Sequence, residues 1–576
     1  MSSTRPRLTR RALLAGTAVG LIGLAAPAAP APHAAPPPPR PACPPPPPRP
    51  PRPAPRAPPA GGRRAPPPPP PPAPTPATAE TQARGAAETT PLPVPPLVEI
   101  TPGTVHDLVA EPGTHAFLKD RPVAVAGYGG GYMGPALKLK RGETARIRLV
   151  NRLDRPTNLH WHGLLVEGRF DGGAVPLIAP GESWETPLAV DQPATTLWYH
   201  AHVPGHAARD LHDGLAGLLV VEDEIAATLG LPSTWGVDDL PLVLQDRDFD
   251  EAGRPVLPPP EVSLRHGFRG RTPIVNGVAG AVARVPERLV RLRLLNASSA
   301  RTWRLAFEDR RAFHLIATDA GFLDVPVELT FLPLAPGERA EILVDFAVGA
   351  VALVTEPDPH EFRLGHAVTV VPDVLTGPTG VLAFETIRAD GPAPTRPKTL
   401  ATLPTLPRST LGMPRRRFEL RVRPGIEVAT GVAGHDHAAR ATVVDAEPGP
   451  SVGAPVGGVD PVALGPPPRL TINGKRFAAG RVDEQVRLGA TEIWEIVTPD
   501  MAHPFHLSGA HFRVLSEDGD RPKLWNAGLK DTVLVENSAE LLVTFTERAD
   551  PAAPFVYRCQ MLEHEDGGMM GTFTVT

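Results

Sequence analysis

Four residues near the carboxyl end of the chain have side chains that suit a soft metal ion. Cys559 is followed by His564 and Met569, and His503 lies upstream in a His-Pro-Phe-His sequence. A thiolate, two imidazoles and a thioether are the ligands of a blue-copper site, where the protein tunes a one-electron couple. The pattern therefore predicts a redox-active copper ion bound by these residues.

Four ordered segments resemble the copper motifs of multicopper oxidases. They are His-Trp-His-Gly at residues 160–163, Leu-Trp-Tyr-His-Ala-His at 197–202, His-Pro-Phe-His at 503–506, and residues 559–570. The similarity extends from about residue 96 to the end and is greatest to the bacterial branch of cuprous oxidases, spore-coat laccases and bilirubin oxidases. The resemblance implies an all-β fold of three cupredoxin-like Greek-key β-sandwich domains, with copper as the cofactor.

The resemblance also assigns the copper ligands. The matches to the type 1 ligands are His503, Cys559, His564 and Met569, and the matches to the type 2 ligands are His160 and His506. Among the type 3 positions, histidine is retained at His162, His200 and His202 and replaced at Ser508, Arg558 and Gln560. The sequence thus predicts a type 1 copper, leaves a type 2 or residual site open, and disfavours a complete trinuclear cluster.

Arg558 is the replacement with the strongest physical consequence. A guanidinium stays protonated in proteins and has no lone pair to offer, so it disfavours a copper ion by both charge and ligand count. We expect its side chain to fill the vacated volume and to pair with Glu565 or Asp171; the alternative is that it turns outward and leaves a hole. The resemblance implies that Asp171 and Glu565 are the catalytic carboxylates that relay protons in an intact enzyme.

A pair of residues shortly before His503 could identify the electron donor. In cuprous oxidases a carboxylate and a thioether seat Cu(I) here. Met501 matches in place, whereas Asp500 is shifted by one because Pro499 stands at the usual position. A solvent-facing loop is the alternative. The predicted donor is a small molecule, such as a phenol or a pigment, or Cu(I).

Three functions therefore remain open from the sequence. The first is a multicopper-oxidase-type oxidoreductase that takes single electrons at the type 1 copper, with a degenerate trinuclear centre that disfavours O2 reduction. The second is a blue-copper electron carrier or copper-handling protein without oxidase activity. The third is a copper-poor structural protein of the cell envelope.

Alternating apolar and polar residues indicate the elements that hold these motifs. The pattern occurs at residues 141–151, 289–296 and 489–497, and it is typical of half-buried strands in antiparallel β-sandwiches. Three copies indicate three similar domains, predicted at 96–228, 229–380 and 381–576. The middle domain is expected to bind no metal, because Ala300 to Leu305 stand where the other two carry histidines.

The residues before these domains have a different composition. A twin-arginine export signal is predicted at 1–34, from Arg10 and Arg11 followed by an apolar run, and no later apolar stretch reaches the roughly 20 residues of a spanning helix. The proline-rich segment 35–95 is predicted to be a disordered spacer, and Cys43 within it has no assigned chemistry. We therefore expect an extracytoplasmic protein, in the periplasm or cell envelope.

Charge is distributed unevenly along the chain. Residues 1–79 contain ten Arg and no Lys, Asp or Glu, so the remainder carries a formal charge of −14 although the whole chain carries −4. An acidic body argues against nucleic acid as a partner. The basic spacer is instead suited to contact anionic material of the cell envelope.

Overall fold

The computed structural model describes residues 90–364, 367–423 and 468–576, which belong to one compact unit. The predicted export signal, Cys43 and most of the predicted spacer lie outside the described residues. The described chain is built mainly of strands, which confirms the all-β prediction. None of the helices in these ranges is long and apolar enough to cross a membrane.

Domain 1 is a pair of packed sheets formed by nine of the first ten strands. The ten strands are β1 (Thr90–Pro91), β2 (Leu97–Glu99), β3 (Val105–His115), β4 (Val123–Tyr128), β5 (Ala136–Lys140), β6 (Thr144–Asn151), β7 (His160–His162), β8 (Ser183–Ala189), β9 (Thr195–His200) and β10 (Ala216–Glu222). One sheet has the order β4-β3-β6-β8 and the other β2-β5-β10-β9-β7. The helices are α1 (Gly168–Asp171), α2 (Ala207–Asp213) and α3 (Glu224–Thr228).

Domain 2 contains the next fifteen strands and one helix. The strands are β11 (Asp239–Phe249), β12 (Pro255–Val256), β13 (Thr272–Val275), β14 (Val278–Ala279), β15 (Ala281–Pro286), β16 (Leu289–Asn296), β17 (Trp303–Phe307), β18 (Phe313–Thr318), β19 (Gly321–Leu329), β20 (Leu332–Leu334), β21 (Arg339–Asp345), β22 (Val351–Glu356), β23 (His360–Leu364), β24 (Ala367–Val371) and β25 (Thr379–Ile387); the helix is α4 (Pro260–His266). One sheet has the order β1-β15-β25-β22-β17-β20, and the other β14-β13-β11-β16-β21-β18-β19 with β12 on β11. β23 and β24 form a separate hairpin.

Domain 3 holds the remaining strands. They are β26 (Arg415–Arg423), β27 (Arg469–Ile472), β28 (Glu484–Val486), β29 (Thr491–Val497), β30 (His503–Leu507), β31 (His511–Glu517), β32 (Leu529–Lys530), β33 (Thr532–Val535), β34 (Ser538–Thr544), β35 (Phe555–Cys559) and β36 (Met570–Val575). The sheet orders are β27-β26-β29-β34-β31-β32 and β28-β36-β35-β30-β33. A 3-10 turn at Leu524–Asn526 and α5 (Leu562–Asp566) complete the domain.

The three alternating sequence patterns all form strands, but only two of them are half-buried. In β6 the side chains of Ala145, Ile147 and Leu149 are buried and their neighbours are more exposed. β29 is similar, whereas β16 is buried along almost its whole length. The reason is that Arg293 of β16 lies at the contact with domain 1, where its guanidinium donates to Thr196 (2.9 Å) and pairs with Glu341 (3.0 Å).

The segment predicted as spacer contains the first strand. Thr90 and Pro91 pair in parallel with Ala281 and Val282 of β15, and the Leu92 N–H donates to the Val282 carbonyl at 2.9 Å. Leu92 packs against the core of domain 2. The ordered chain therefore begins before residue 96, because an apolar residue and a free sheet edge are both available to it.

We expect Trp494→Ala to destabilise domain 3 strongly. Trp494 is fully buried and its ring lies 4.5 Å from that of Phe418 and 5.6 Å from that of Phe573. Removing a buried Trp typically costs about 3–5 kcal/mol. Chemical denaturation should show an early transition in this variant, whereas Leu411→Ala, at a residue 94% exposed, should leave the curve unchanged. An unshifted Trp494→Ala curve would contradict the packing described here.

Candidate metal centre

Paired strand ends and a short helix position the residues of the predicted type 1 site. β30 pairs antiparallel with β35, and the register aligns Phe505 with Cys559. α5 then turns the chain back so that His564 faces these strand ends. The Met569 N–H donates to the His564 carbonyl at 2.9 Å, and its carbonyl accepts from the Cys559 N–H at 3.1 Å. All four residues predicted as type 1 ligands therefore lie together.

Three of these side chains converge with their donor atoms. His503 Nδ1 lies 3.3 Å from Cys559 Sγ, which lies 3.8 Å from His564 Nδ1, and the two Nδ1 atoms are 3.3 Å apart. All three residues are fully buried, and so is Met569. Imidazole and thiolate donors held this close fit a copper ion or another soft metal ion.

The protonation of these groups suits metal binding once a metal displaces the thiol proton. Burial lowers the pKa of the His564 imidazole to about 3 and lowers the pKa of His503 well below its usual value, so both rings are neutral. Burial also raises the pKa of the Cys559 thiol. A bound cation stabilises the thiolate, and metal binding here should release a proton.

A second buried cluster contains the five retained histidines of the predicted type 2 and type 3 sites. β7 pairs with β9 so that His160 lies opposite His200. The ring of His162 stacks on that of His506 from β30 with centroids 3.8 Å apart, and the ring of His202 lies 5.5 Å from that of His160. The cluster thus joins domain 1 to domain 3.

Arg558 lies inside this cluster. Its guanidinium is fully buried and forms a close ion pair with the Glu565 carboxylate. It also lies within hydrogen-bonding distance of His200, with Nη2 3.4 Å from Nε2. Of the two partners predicted from the sequence, the structure has Glu565, while Asp171 contacts a different residue. The nitrogen of His200 that would face a metal thus faces a cation instead.

Glu565 and the neighbouring histidines complete this charge arrangement. Glu565 Oε1 lies 2.7 Å from His202 Nε2. Burial alone would raise the pKa of the Glu565 carboxyl, but the Arg558 guanidinium and His202 outweigh burial and lower it to about 2. Burial and the Arg558 charge together hold the pKa of His200 well below its usual value. At neutral pH the ion pair is therefore fully charged and His200 is neutral.

The other two replaced type 3 positions hold no alternative metal ligand set. The Ser508 hydroxyl accepts from the Val556 N–H at 3.0 Å, so it serves the strand pairing. Gln560 packs against Gly337 of domain 2. A Cβ added at Gly337 would lie only 2.7 Å from the Cγ atom of Gln560. Because Arg558 lies against His200 and pairs with Glu565, the residues present do not fit a coupled pair of copper ions.

The predicted type 2 ligands retain two available nitrogen atoms. Within the described chain, Nε2 of His160 and Nε2 of His506 are buried without a hydrogen-bond partner. The opposite nitrogen of His160 contacts Asp171, at 3.0 Å from its carbonyl and 3.3 Å from its carboxylate. Nδ1 of His506 lies 3.1 Å from the Asp531 carbonyl. The contacts of the two Nδ1 atoms thus fix the orientation of both rings. The two Nε2 atoms could hold one metal ion.

A carboxylate that no sequence motif indicates also contacts the cluster. Asp531 Oδ1 lies 3.2 Å from His162 Nε2, and Asp531 also forms an ion pair at 2.5 Å with Arg339 of domain 2. Burial would raise its pKa, but the Arg339 charge and hydrogen bonds lower it well below its usual value. Neither residue belongs to a motif, so only the three-dimensional fold reveals that they meet the histidines.

The residues predicted as a Cu(I) seat do not form an open site. The Asp500 carboxylate accepts from the Val422 N–H at 3.0 Å and lies 3.4 Å from the Arg421 guanidinium, so it holds the end of β26. Met501 is 1% exposed and packs in the core of domain 3. Asp500 and Met501 therefore serve the packing of domain 3 in this structure.

Comparisons of the sequence identify similar proteins along most of the chain. Two family models, both described as multicopper oxidase, match residues 110–225 and 458–576. The cell division protein FtsP of Xenorhabdus nematophila is 35% identical over 491 residues, covering 85% of this chain and 93% of the relative. That of Salmonella typhimurium is 34% identical over 488 residues, covering 84% and 92%.

Solved structures show a similar fold. A laccase-like multicopper oxidase, CueO, from Ochrobactrum sp. has a TM-score of 0.71 and 36% identity, and the match covers 84% of this chain and all of that one. The McoA multicopper oxidase of Aquifex aeolicus has a TM-score of 0.69 and 25% identity, with 85% and 99% covered.

Loading the purified protein with Cu(II) should give an intense blue colour, because a thiolate ligand transfers charge to the metal in such sites. We expect Cys559→Ser to abolish the visible band and His160→Ala, in the second cluster, to preserve it. Absorption spectra at equal copper loading measure both. A wild-type protein that binds copper without colour, or a band that survives Cys559→Ser, would contradict the ligand assignment.

Proposed function

This chain belongs to the multicopper oxidase family, and on that premise we propose that it is a non-oxidase member that acts as a structural protein of the cell envelope. Its relatives named cell division protein FtsP support this function better than the oxidoreductase that the sequence alone favours. An extracytoplasmic location, reached through the twin-arginine signal, belongs to the same proposal.

The buried ion pair of Arg558 and Glu565 carries this proposal. Members of the family that reduce O2 use three coupled copper ions, and here a cation lies beside the histidines that would bind the type 3 pair. A second positive charge is disfavoured there by electrostatic repulsion, which is strong in a site that excludes water. The same pair engages His200 and His202 from domain 1, so the site now contributes to the contact between domains.

A second candidate function rests on the mononuclear site. His503, Cys559 and His564 remain assembled with donor atoms within 4.8 Å of one another, which supports an electron carrier or a copper-handling protein. A copper ion held by these residues would supply a one-electron couple. The protein supplies rigid positions for the ligands, burial that excludes water, and neutral imidazoles.

The partners proposed for the protein follow from its charge and family. A small-molecule or Cu(I) electron donor is proposed for the carrier function alone. The acidic body disfavours nucleic acid. For the structural function we propose that the Pro/Arg-rich segment before the domains contacts anionic material of the envelope.

Copper analysis and oxygen uptake test the loss of oxidase activity. We expect about one copper ion per chain, or about two if the type 2 position also fills, and no measurable O2 consumption with phenolic donors. The triple change Ser508→His, Arg558→His and Gln560→His should raise both the copper content and the O2 uptake, because it restores the three missing ligands. The matched control Ser508→Gln, Arg558→Gln and Gln560→Asn removes the cation without adding imidazoles and should do neither. Full occupancy and O2 turnover in the unmodified protein would contradict the proposal.

Complementation separates the two candidate functions. In a strain that lacks this protein, we expect the Cys559→Ser chain to restore normal cell length as well as the unmodified chain does, because a structural function does not need the thiolate. Microscopy of cell length measures this, with immunoblots to match protein levels. Failure of Cys559→Ser alone would favour the carrier.

A further inference from the structure

A cavity of about 450 Å³ lies between domains 2 and 3. Its walls come from β17 and β20 of domain 2, from the start of the β23–β24 hairpin, and from the 3-10 turn and β33 of domain 3. Cavities of roughly 300–1,000 Å³ are the size that binds small organic molecules. None of the clustered histidines, nor Cys559, lines this cavity.

One wall of the cavity is aromatic. Phe331 of domain 2 and Trp525 of domain 3 meet edge to face with ring centroids 6.4 Å apart, and both rings are half-buried. Pro333 and Leu534 add further apolar surface to the lining. Such a surface favours a flat aromatic ring, which can stack or make an edge contact there.

The carboxylates that line the cavity are already partnered. Glu338 pairs with Lys530 and Glu361 with Arg363, while Glu536 pairs with Lys523. Asp358 accepts from the Thr302 N–H and from His360, and Glu517 accepts from Asn526 and the Lys523 N–H. Each carboxylate therefore has a donor within the described chain, which partly offsets its charge.

Arg304 differs from these charged groups. Its guanidinium lies over the Phe331 ring, 5.1 Å from the centroid, and within the described residues no carboxylate lies within ion-pair distance of it. The contact with the ring holds the cation at the edge of the aromatic wall. A guanidinium in this position can donate two parallel hydrogen bonds to a carboxylate.

We propose that this cavity binds a small aromatic carboxylate, with its ring against Phe331 and Trp525 and its carboxylate on Arg304. The site is distinct from the copper ligands and needs no metal, so it goes beyond the structural function proposed above. Pro504 and Met561 also line the cavity, and these residues follow His503 and Cys559 closely in the chain. A bound ligand would therefore connect domain 2 with the strands that carry the mononuclear site.

Two ligands of equal shape test the charge requirement. Isothermal titration calorimetry on the copper-free full-length protein should show that 2-naphthoate binds about tenfold or more tightly than neutral 2-naphthamide, because a hydrogen bond to a charged group adds that much. Arg304→Gln should reduce the naphthoate affinity to that of the amide and leave the amide unchanged. Arg304→Lys should keep part of the preference, since it keeps the charge.

Two further variants control for the fold and for the ring contact. Arg310→Gln removes an exposed arginine of the same domain that lies outside the cavity, and it should leave both affinities unchanged. Trp525→Ala should weaken both ligands. Equal affinity for naphthoate and naphthamide, an unchanged preference in Arg304→Gln, or no binding of either ligand would each overturn the proposal. Because no copper is present, these outcomes do not depend on the function of the metal centre.

Discussion

The contact between domains 1 and 3 depends on one buried pair of opposite charges. Arg558 and Glu565 are buried together among histidines. Removing either one would destabilise the fold, because the other charge would remain buried without a partner. His200 and His202 satisfy the outer sides of the pair. Domain 1 must therefore sit where its histidines meet this pair, and the same contact uses groups that a type 3 copper pair would need.

The neighbouring mononuclear site lies on the opposite face of the same strand from that pair. Cys559 and Arg558 are adjacent in β35, and because side chains alternate along a strand they point to opposite faces of the sheet. Cys559 therefore faces the core of domain 3 with His503, whereas Arg558 faces domain 1. Residues on one face of the strand can therefore differ without changing the other face, which accounts for Cys559 standing directly beside Arg558 and Gln560.

Motifs in the sequence indicated which residues cluster, because most of these residues lie on strands, where alternation fixes the face to which each side chain points. The sequence left two candidate partners for Arg558, Glu565 and Asp171. In the structure α5 places Glu565 against the Arg558 guanidinium. Contacts between domains could not be predicted from the sequence. Asp531 contacts Arg339, which is 192 positions away in the chain. The alternation of β16 likewise did not indicate that its polar face is buried.

β1 has a consequence for how mechanical load enters the protein. Thr90 and Pro91 precede domain 1 in the chain yet belong to a sheet edge of domain 2. Tension applied through any preceding segment would first reach the hydrogen bonds to β15 and not the histidine-bearing strands of domain 1. A protein tethered at its amino end would thus be pulled first through its middle domain.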